Sequence, residues 1–432
     1  MFEKIRYLLG KTNNVSKSTY IWNTINASVL ACQSPVILMV MTRTNGLYDV
    51  GVFSIAYAVA NLMVFIGQYG MRRFQASDVN EKYSFGEYYG MRVISCITMM
   101  AASAVYCVYG VFFNDYGPDK LAMVMLMCGL KCIQAYADVI HGRMQQLGRL
   151  DVATKASSVR YAAEIAAFVI MLAATGSLIA SASVCLAVSV VILYITSMNA
   201  ACDYCTFRAV YDLRKLRLML IEGFPLFVSL FLNMYISNAP KYAIDAYLTE
   251  DIQAYYNLIF MPAFAVGLMA HFIFNPILTS YAKLWVSGEL GRLRRLIMRQ
   301  MALIAGLTVL GLAVAYTIGI PVLSFIFGVD LSRFRQELCI VMIGGGMLAY
   351  ATFFSTVITI IRCHSSLIVC YGLTALASKL MSRRFVLDGG IHGATVMYSV
   401  LMAVLGLMLF AVVIWGMRKK RSQSLRENSM SV

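Results

Sequence analysis

Twelve times along this 432-residue chain an apolar run long enough to cross a lipid bilayer recurs. The hydrocarbon core of a bilayer is about 30 Å thick, and roughly 20 apolar residues of α-helix span it. Lipid offers no partner to backbone N–H and C=O groups, so runs of this kind must close their own hydrogen bonds as helices. The runs lie near 20–42, 50–70, 91–113, 120–140, 158–176, 178–201, 223–244, 253–278, 299–319, 337–361, 364–382 and 391–416. Only Gly176 and Ser177 separate the fifth from the sixth, which predicts a tight helical hairpin. The eleventh is the most interrupted, by Thr374, Ser378 and Lys379.

Composition agrees with this pattern. Apolar residues make up 60% and charged residues 13%, against about 25% charged in an ordinary soluble domain. A soluble enzyme of two or three domains is excluded on that ground. The net charge of +15 does not make a nucleic-acid binder, because such a surface needs a soluble scaffold. Instead, 27 of the 36 Lys and Arg fall in loops or span ends on one side of a twelve-span topology and 8 on the other, with Lys131 deep inside a span. Positive loops mark the cytoplasmic side. The chain is expected to be an all-α polytopic membrane protein with twelve transmembrane helices and both termini cytoplasmic.

Residues 1–18 read as a short interfacial helix, with Phe2, Ile5, Leu8 and Leu9 opposite Glu3, Lys4 and Lys11. The eleven cysteines sit mostly in spans and read as small apolar residues. Cys202 and Cys205 form one CxxC without a second pair or a nearby His, too little for a zinc or redox site. The 28 Met show no clustering with His and signal helix packing.

A faint echo connects the two halves at a shift of 202 residues. Asp49-Val50-Gly51-Val52-Phe53-Ser54 aligns with Asp251-Ile252-Gln253-Ala254-Tyr255-Tyr256, and basic 72–92 with basic 283–299. The expected plan is two pseudo-symmetric six-helix lobes around a central cavity, as in many secondary transporters. The lobes would comprise residues 1–210, including the interfacial helix, and 211–417. Residues 418–432 would be a basic, disordered cytoplasmic tail.

Polar residues inside spans are expensive and so informative. The fourth span carries Lys131, Gln134, Asp138 and His141, spaced to share one helical face. They could line a wet cavity, or Lys131 and Asp138 could form a structural pair. The seventh carries Asn233, Ser237, Asn238, Pro240, Lys241 and Asp245, with Lys241 and Asp245 at i,i+4. Pro240 is expected to kink that helix. Span one ends in Thr42-Arg43, span ten brings Thr352, Ser355, Thr356, Thr359 and Arg362, and span eleven Lys379. Cations within the membrane point to an anionic ligand, because a diphosphate needs compensating charge. No Walker A loop, GxSxG or HExxH occurs, and the chain is not expected to be an enzyme.

Several blocks resemble a known family. Gly70-Met71-Arg72-Arg73-Phe74-Gln75-Ala76-Ser77-Asp78, followed by Tyr83-Ser84-Phe85 and Tyr88, resembles the segment after the second span of bacterial polysaccharide flippases. These are the Wzx-like O-antigen and capsule exporters of the MOP superfamily. Asn238-Ala239-Pro240-Lys241-Tyr242-Ala243-Ile244-Asp245 is similar to the family's seventh span. So is Gln253-Ala254-Tyr255-Tyr256 with Ile259-Phe260-Met261-Pro262-Ala263-Phe264, running on to Phe274-Asn275-Pro276. The resemblance covers roughly residues 18–415. It implies two six-helix bundles that open in turn to each side of a bacterial cytoplasmic membrane. The implied substrate is an oligosaccharide repeat unit on a polyprenyl diphosphate, carried between leaflets for polysaccharide biosynthesis.

By matching position, Arg43, Arg72, Arg73, Lys241 and Asp245 are the substrate residues the resemblance implies, with Asn238 in the same block. Lys131, Asp138, Arg362 and Lys379 rest on helical periodicity alone. Expected partners are the polyprenyl-diphosphate oligosaccharide and membrane lipids, with a polysaccharide polymerase and glycosyltransferases as associated proteins, and no nucleic acid. No cofactor or metal is expected; coupling to a proton or a sodium gradient stays open. Two other functions compete. A multidrug exporter of the same superfamily would favour an acidic cavity for cationic drugs, whereas here embedded cations rival Asp138, Glu164 and Asp245. A polysaccharide polymerase or ligase would need a sizeable outer loop, and the longest candidate, 319–336, is short.

Overall fold

The computed structural model describes the chain except Met1, Arg362 and residues 79–80, 275–277 and 431–432. For the rest of 264–280, for 423–430, and for Ser77, Ala282, His364 and Arg421 it describes the backbone. Among the described residues every regular element is helical. Ten helices among the described residues are long and apolar enough to cross a membrane. The chain divides into two compact units, Met1–Phe231 and Leu232–Val432.

The first unit begins with α1 (Phe2–Gly10) and continues through α2 (Val15–Thr44), α3 (Leu47–Gln68), α4 (Met71–Ser77) and α5 (Phe85–Phe113). Then come α6 (Pro118–Gln146), α7 (Leu150–Thr175) and α8 (Leu178–Ala201). The division between units falls inside α9 (Leu213–Tyr247). Local chemistry fixes the boundaries. The Asn14 side chain caps α2 by accepting from Lys17 N–H at 3.0 Å. Ser84 and Glu87 form a reciprocal capping box at the start of α5. Gly176, left-handed at φ 65°, ends α7, and Ser177 caps α8 at once. This is the hairpin anticipated from those two residues.

α3 is the most enclosed spanning helix, with 78% of its apolar window covered by its neighbours. Lipid tails are as apolar as leucine, so helices associate in a membrane through close packing. Small residues permit it here: Gly51, Ala56, Ala58 and Ala60 are all buried. A methyl group on Gly67 would lie 2.8 Å from Met99 Sδ and 2.9 Å from Ala135 Cβ, which places α5 and α6 directly against α3.

α1 is half docked. Leu9 packs with Val152, Ala156 and Ala200, while Phe2, Tyr7 and Leu8 stay exposed. Its C-terminal end is held by cations, as the helix dipole favours. Lys155 Nζ donates to the carbonyls of Leu9 and Lys11, both at 3.1 Å, and Arg149 to that of Gly10 at 2.8 Å.

The second unit contains the rest of α9, then α10 (Glu250–Phe274), α11 (Leu278–Val286), α12 (Leu290–Phe327), α13 (Ser332–Ile360) and α14 (His364–Met430). α9 runs as one helix through Pro225 and Pro240. A straight helix of α14's 67 residues would extend about 100 Å, three times a bilayer. It is broken instead at Gly390, whose φ of 54° and ψ of −133° are not helical. The two arms match the apolar runs 364–382 and 391–416. The second arm continues through the basic segment to Met430, where disorder was expected. Arg, Lys, Gln, Leu and Glu there are good helix formers and simply prolong the preceding turns.

The reversal at Gly390 needs close backbone approach. A Cβ on Gly393 would sit 1.8 Å from the carbonyl oxygen of Phe385. Neither atom is the tip of a flexible side chain, so the turn must open. Gly393→Ala is therefore expected to lower stability by about 1–3 kcal/mol, the ordinary cost of overpacking, read as a lower unfolding midpoint in detergent. Gly389→Ala, at a position with open space around it, is the control and should change little.

Candidate functional site

The Gly70–Asp78 block is a built turn. α3 ends at Tyr69 and Gly70, both left-handed at φ 47° and 67°, and α4 starts immediately. The loop that follows is tied down by Asp78. Its carboxylate accepts from the N–H groups of Lys82 and Tyr83, at 2.8 and 3.0 Å, and from the Tyr88 hydroxyl at 3.0 Å. Burial pushes the Asp78 pKa up, but these hydrogen bonds prevail and hold it below the ordinary carboxylate value. Gln146 Nε2 donates to the Asp78 carbonyl at 2.6 Å, and Arg143 pairs with Glu81 at 2.7 Å.

This turn aims Arg72 inward and leaves Arg73 exposed. Arg72 lies 3.6 Å from Asp138 and donates to Gln145 Oε1 at 3.3 Å. Asp138 also receives Arg92 at 3.0 Å. Arg92 is buried and donates to the carbonyl of Gly67, as does Ser95 Oγ at 2.7 Å. One carboxylate thus holds two guanidinium groups from α4 and α5.

The Lys131–Asp138 pair considered from the sequence does not form. The two residues share a face of α6 but stand two turns apart, about 10 Å along the axis. Lys131 turns to other groups. Its Nζ lies 4.6 Å from the ring centroid of Tyr57 and donates to the Tyr57 hydroxyl at 3.5 Å and to Gln134 Oε1 at 3.3 Å. His141, nearly three turns beyond Lys131 on α6, is buried against Ser157 Oγ at 2.9 Å.

A second ionic cluster lies across α2, α7 and α8. Arg160 donates to Glu164 at 2.9 Å, one turn on in α7, and to Ser189 Oγ at 3.3 Å. Ser189 Oγ donates to the same Glu164 oxygen at 2.5 Å, and Gln33 Nε2 donates to the other at 3.0 Å. Arg160 and Arg92, each at the start of an apolar run, belong to the 27 charges that the sequence count reads as orienting the chain. Both are instead almost wholly buried, 1% and 2% exposed for Arg160 and Arg92 respectively. α5 and α7 begin at Phe85 and Leu150, well before their apolar runs, so these arginines are inside helices and in reach of carboxylates. The i,i+4 spacing of Arg160 and Glu164 was the available signal, since a carboxylate mid-span needs a cation.

In the second unit, Lys241 places its ammonium 4.9 Å from the centroid of the Phe260 ring, a cation–π arrangement. Tyr235 and Tyr242 stack beside it on α9, at 5.7 Å. The Asn238 amide bonds back to the carbonyl of Met234 at 3.1 Å. Asp245 is half-buried near the end of the same helix. Lys379 is exposed on the first arm of α14, and Arg43 is exposed in the last turn of α2. Arg362, Asn275 and Pro276 lie outside the described residues. Of the ten anticipated site residues, the structure brings Arg72 and Asp138 into contact.

No family model matches the sequence. No curated protein matches it either. Solved structures share its fold. It is similar to the lipid II flippase MurJ in an inward closed conformation, with a TM-score of 0.66 at 12% identity over 94% of this chain and 91% of that one. It is also similar to a multidrug resistance MATE family transporter of the MOP superfamily in an inward-facing conformation, with a TM-score of 0.63 at 13% identity over 98% and 99%. A MOP superfamily transporter from Pyrococcus furiosus, described as having a binding pocket of reversed polarity, follows at a TM-score of 0.51 and 14% identity over 96% and 98%. The chain is a multi-span membrane protein with the helical fold of MATE and MOP superfamily transporters.

Proposed function

We propose that the chain is a flippase that moves polyprenyl-diphosphate-linked oligosaccharides across a bacterial cytoplasmic membrane by alternating access. The fold alone does not choose among transport functions, since it is similar both to a lipid II flippase and to multidrug transporters. Charge supports the choice. Asp138 and Glu164, the carboxylates inside the apolar runs of the first unit, are already bound by guanidinium groups. A cationic drug would find neither of them available. Arg43, Arg73 and Lys241 carry positive charge at exposed or half-buried positions, the character a diphosphate requires.

The same reading counts twelve crossings. The ten apolar helices become twelve when α10 is added and α14 is divided at Gly390, and both termini then lie on the cytoplasmic side. Expression in a bacterium that lacks its own oligosaccharide flippase tests the function. Restored surface polysaccharide without drug resistance is the expected result. Drug resistance without polysaccharide would make the protein a multidrug exporter.

A further inference from the structure

Inside the first unit, α2, α3, α6, α7 and α8 enclose a cavity of about 20 Å³ lined by Gln33, Tyr57, Lys131, Gln134, Arg160 and Glu164 among others. That is room for one water-sized guest and far too little for a sugar or a diphosphate. The polar groups around it are unevenly satisfied. Both Glu164 oxygens are taken, one by Arg160 and Ser189, the other by Gln33. Arg160 spends one terminal nitrogen on these contacts, but its Nε and other terminal nitrogen are buried with no hydrogen-bond partner among the described residues. Lys131 is 6% exposed and donates to a phenol and an amide.

The charge count is also uneven. Two cations, Arg160 and Lys131, face one carboxylate. The next ionic group along α6 is Asp138, and it already carries two arginines, so it cannot balance the surplus. A buried net charge in a low-dielectric interior demands a counter-charge. A water molecule would satisfy the arginine's hydrogens and leave the charge unbalanced. We propose that this cavity binds a single small monovalent anion, of the class of chloride, held between the Arg160 guanidinium and the Lys131 ammonium. The site is separate from the transport substrate and fixes the packing of α6 against α7.

The test uses the purified full-length protein in detergent. Its unfolding midpoint is followed as sodium chloride replaces sodium gluconate at constant ionic strength. A saturable rise of about 2 °C is expected, bromide should reproduce it, and gluconate is too large to enter. Lys131→Gln removes the surplus charge and should abolish the chloride dependence while leaving the protein folded. Lys131→Arg should keep it. Equal midpoints of the wild-type protein in chloride and gluconate would overturn the proposal in favour of a bound water or an uncharged lysine, and this comparison needs no variant. An undiminished chloride effect in Lys131→Gln would overturn it as well.

Discussion

Replacing Glu164 by leucine while Arg160 remains is expected to cost about 3–5 kcal/mol, the penalty for stranding a buried charge. Arg160 would then keep Ser189 as its only side-chain hydrogen-bond partner among the described residues, and its guanidinium would lose its carboxylate at 1% exposure. Arg160→Leu should cost a comparable amount, because Glu164 would keep only Ser189 and Gln33. The double variant Arg160→Leu/Glu164→Leu should recover most of the loss. Two charges leave together, and an apolar pair of similar volume often replaces a buried ion pair without penalty. The measurement is a double-mutant cycle on the unfolding midpoint in detergent, supported by the yield of monodisperse protein. Additive losses in the double variant would show that the two side chains are not energetically coupled.

That cluster also marks where the sequence stopped being readable. The helices themselves were legible, because a bilayer imposes a length on each apolar run and the chain must obey it. The Gly176-Ser177 hairpin was legible because glycine there supplies a left-handed residue and serine a cap. The ionic interior was not. Apolar runs report where a helix can face lipid, yet α5 and α7 begin before their runs, in a protein-packed zone. Arg92 and Arg160 lie at the very start of their apolar runs, beside that extension, so the charge count grouped them with the loops. Periodicity misled differently at Lys131 and Asp138. It identified their common face correctly and said nothing of the two turns between them. Asp138 was then free to collect Arg72 from α4 and Arg92 from α5, a convergence that only the tertiary fold creates. The Gly70–Asp78 block, which the resemblance linked to substrate, has a structural role as well: Asp78 fixes the loop through three hydrogen bonds, and α4 delivers Arg72.

Substituting Lys241 or Arg43 by alanine should reduce surface polysaccharide about tenfold or more at unchanged protein level. A charge-assisted hydrogen bond to a phosphate is worth roughly 1.5–3 kcal/mol, which sets that scale. Protein level should hold because both residues are more than marginally exposed: Arg43 lies in the last turn of α2, and Lys241 is half-buried with its ammonium over Phe260. Neither forms part of the two buried ionic clusters. Lys241→Arg keeps the charge and the aromatic contact and should retain most export. Arg92→Leu is the contrasting control. It removes a buried partner of Asp138, so it should lower the amount of folded protein, and with it export, in proportion. Surface polysaccharide normalised to membrane protein therefore separates the two classes. Full normalised export by both alanine variants would remove Lys241 and Arg43 from the transport mechanism, and the charge argument for a diphosphate cargo would lose its two principal residues.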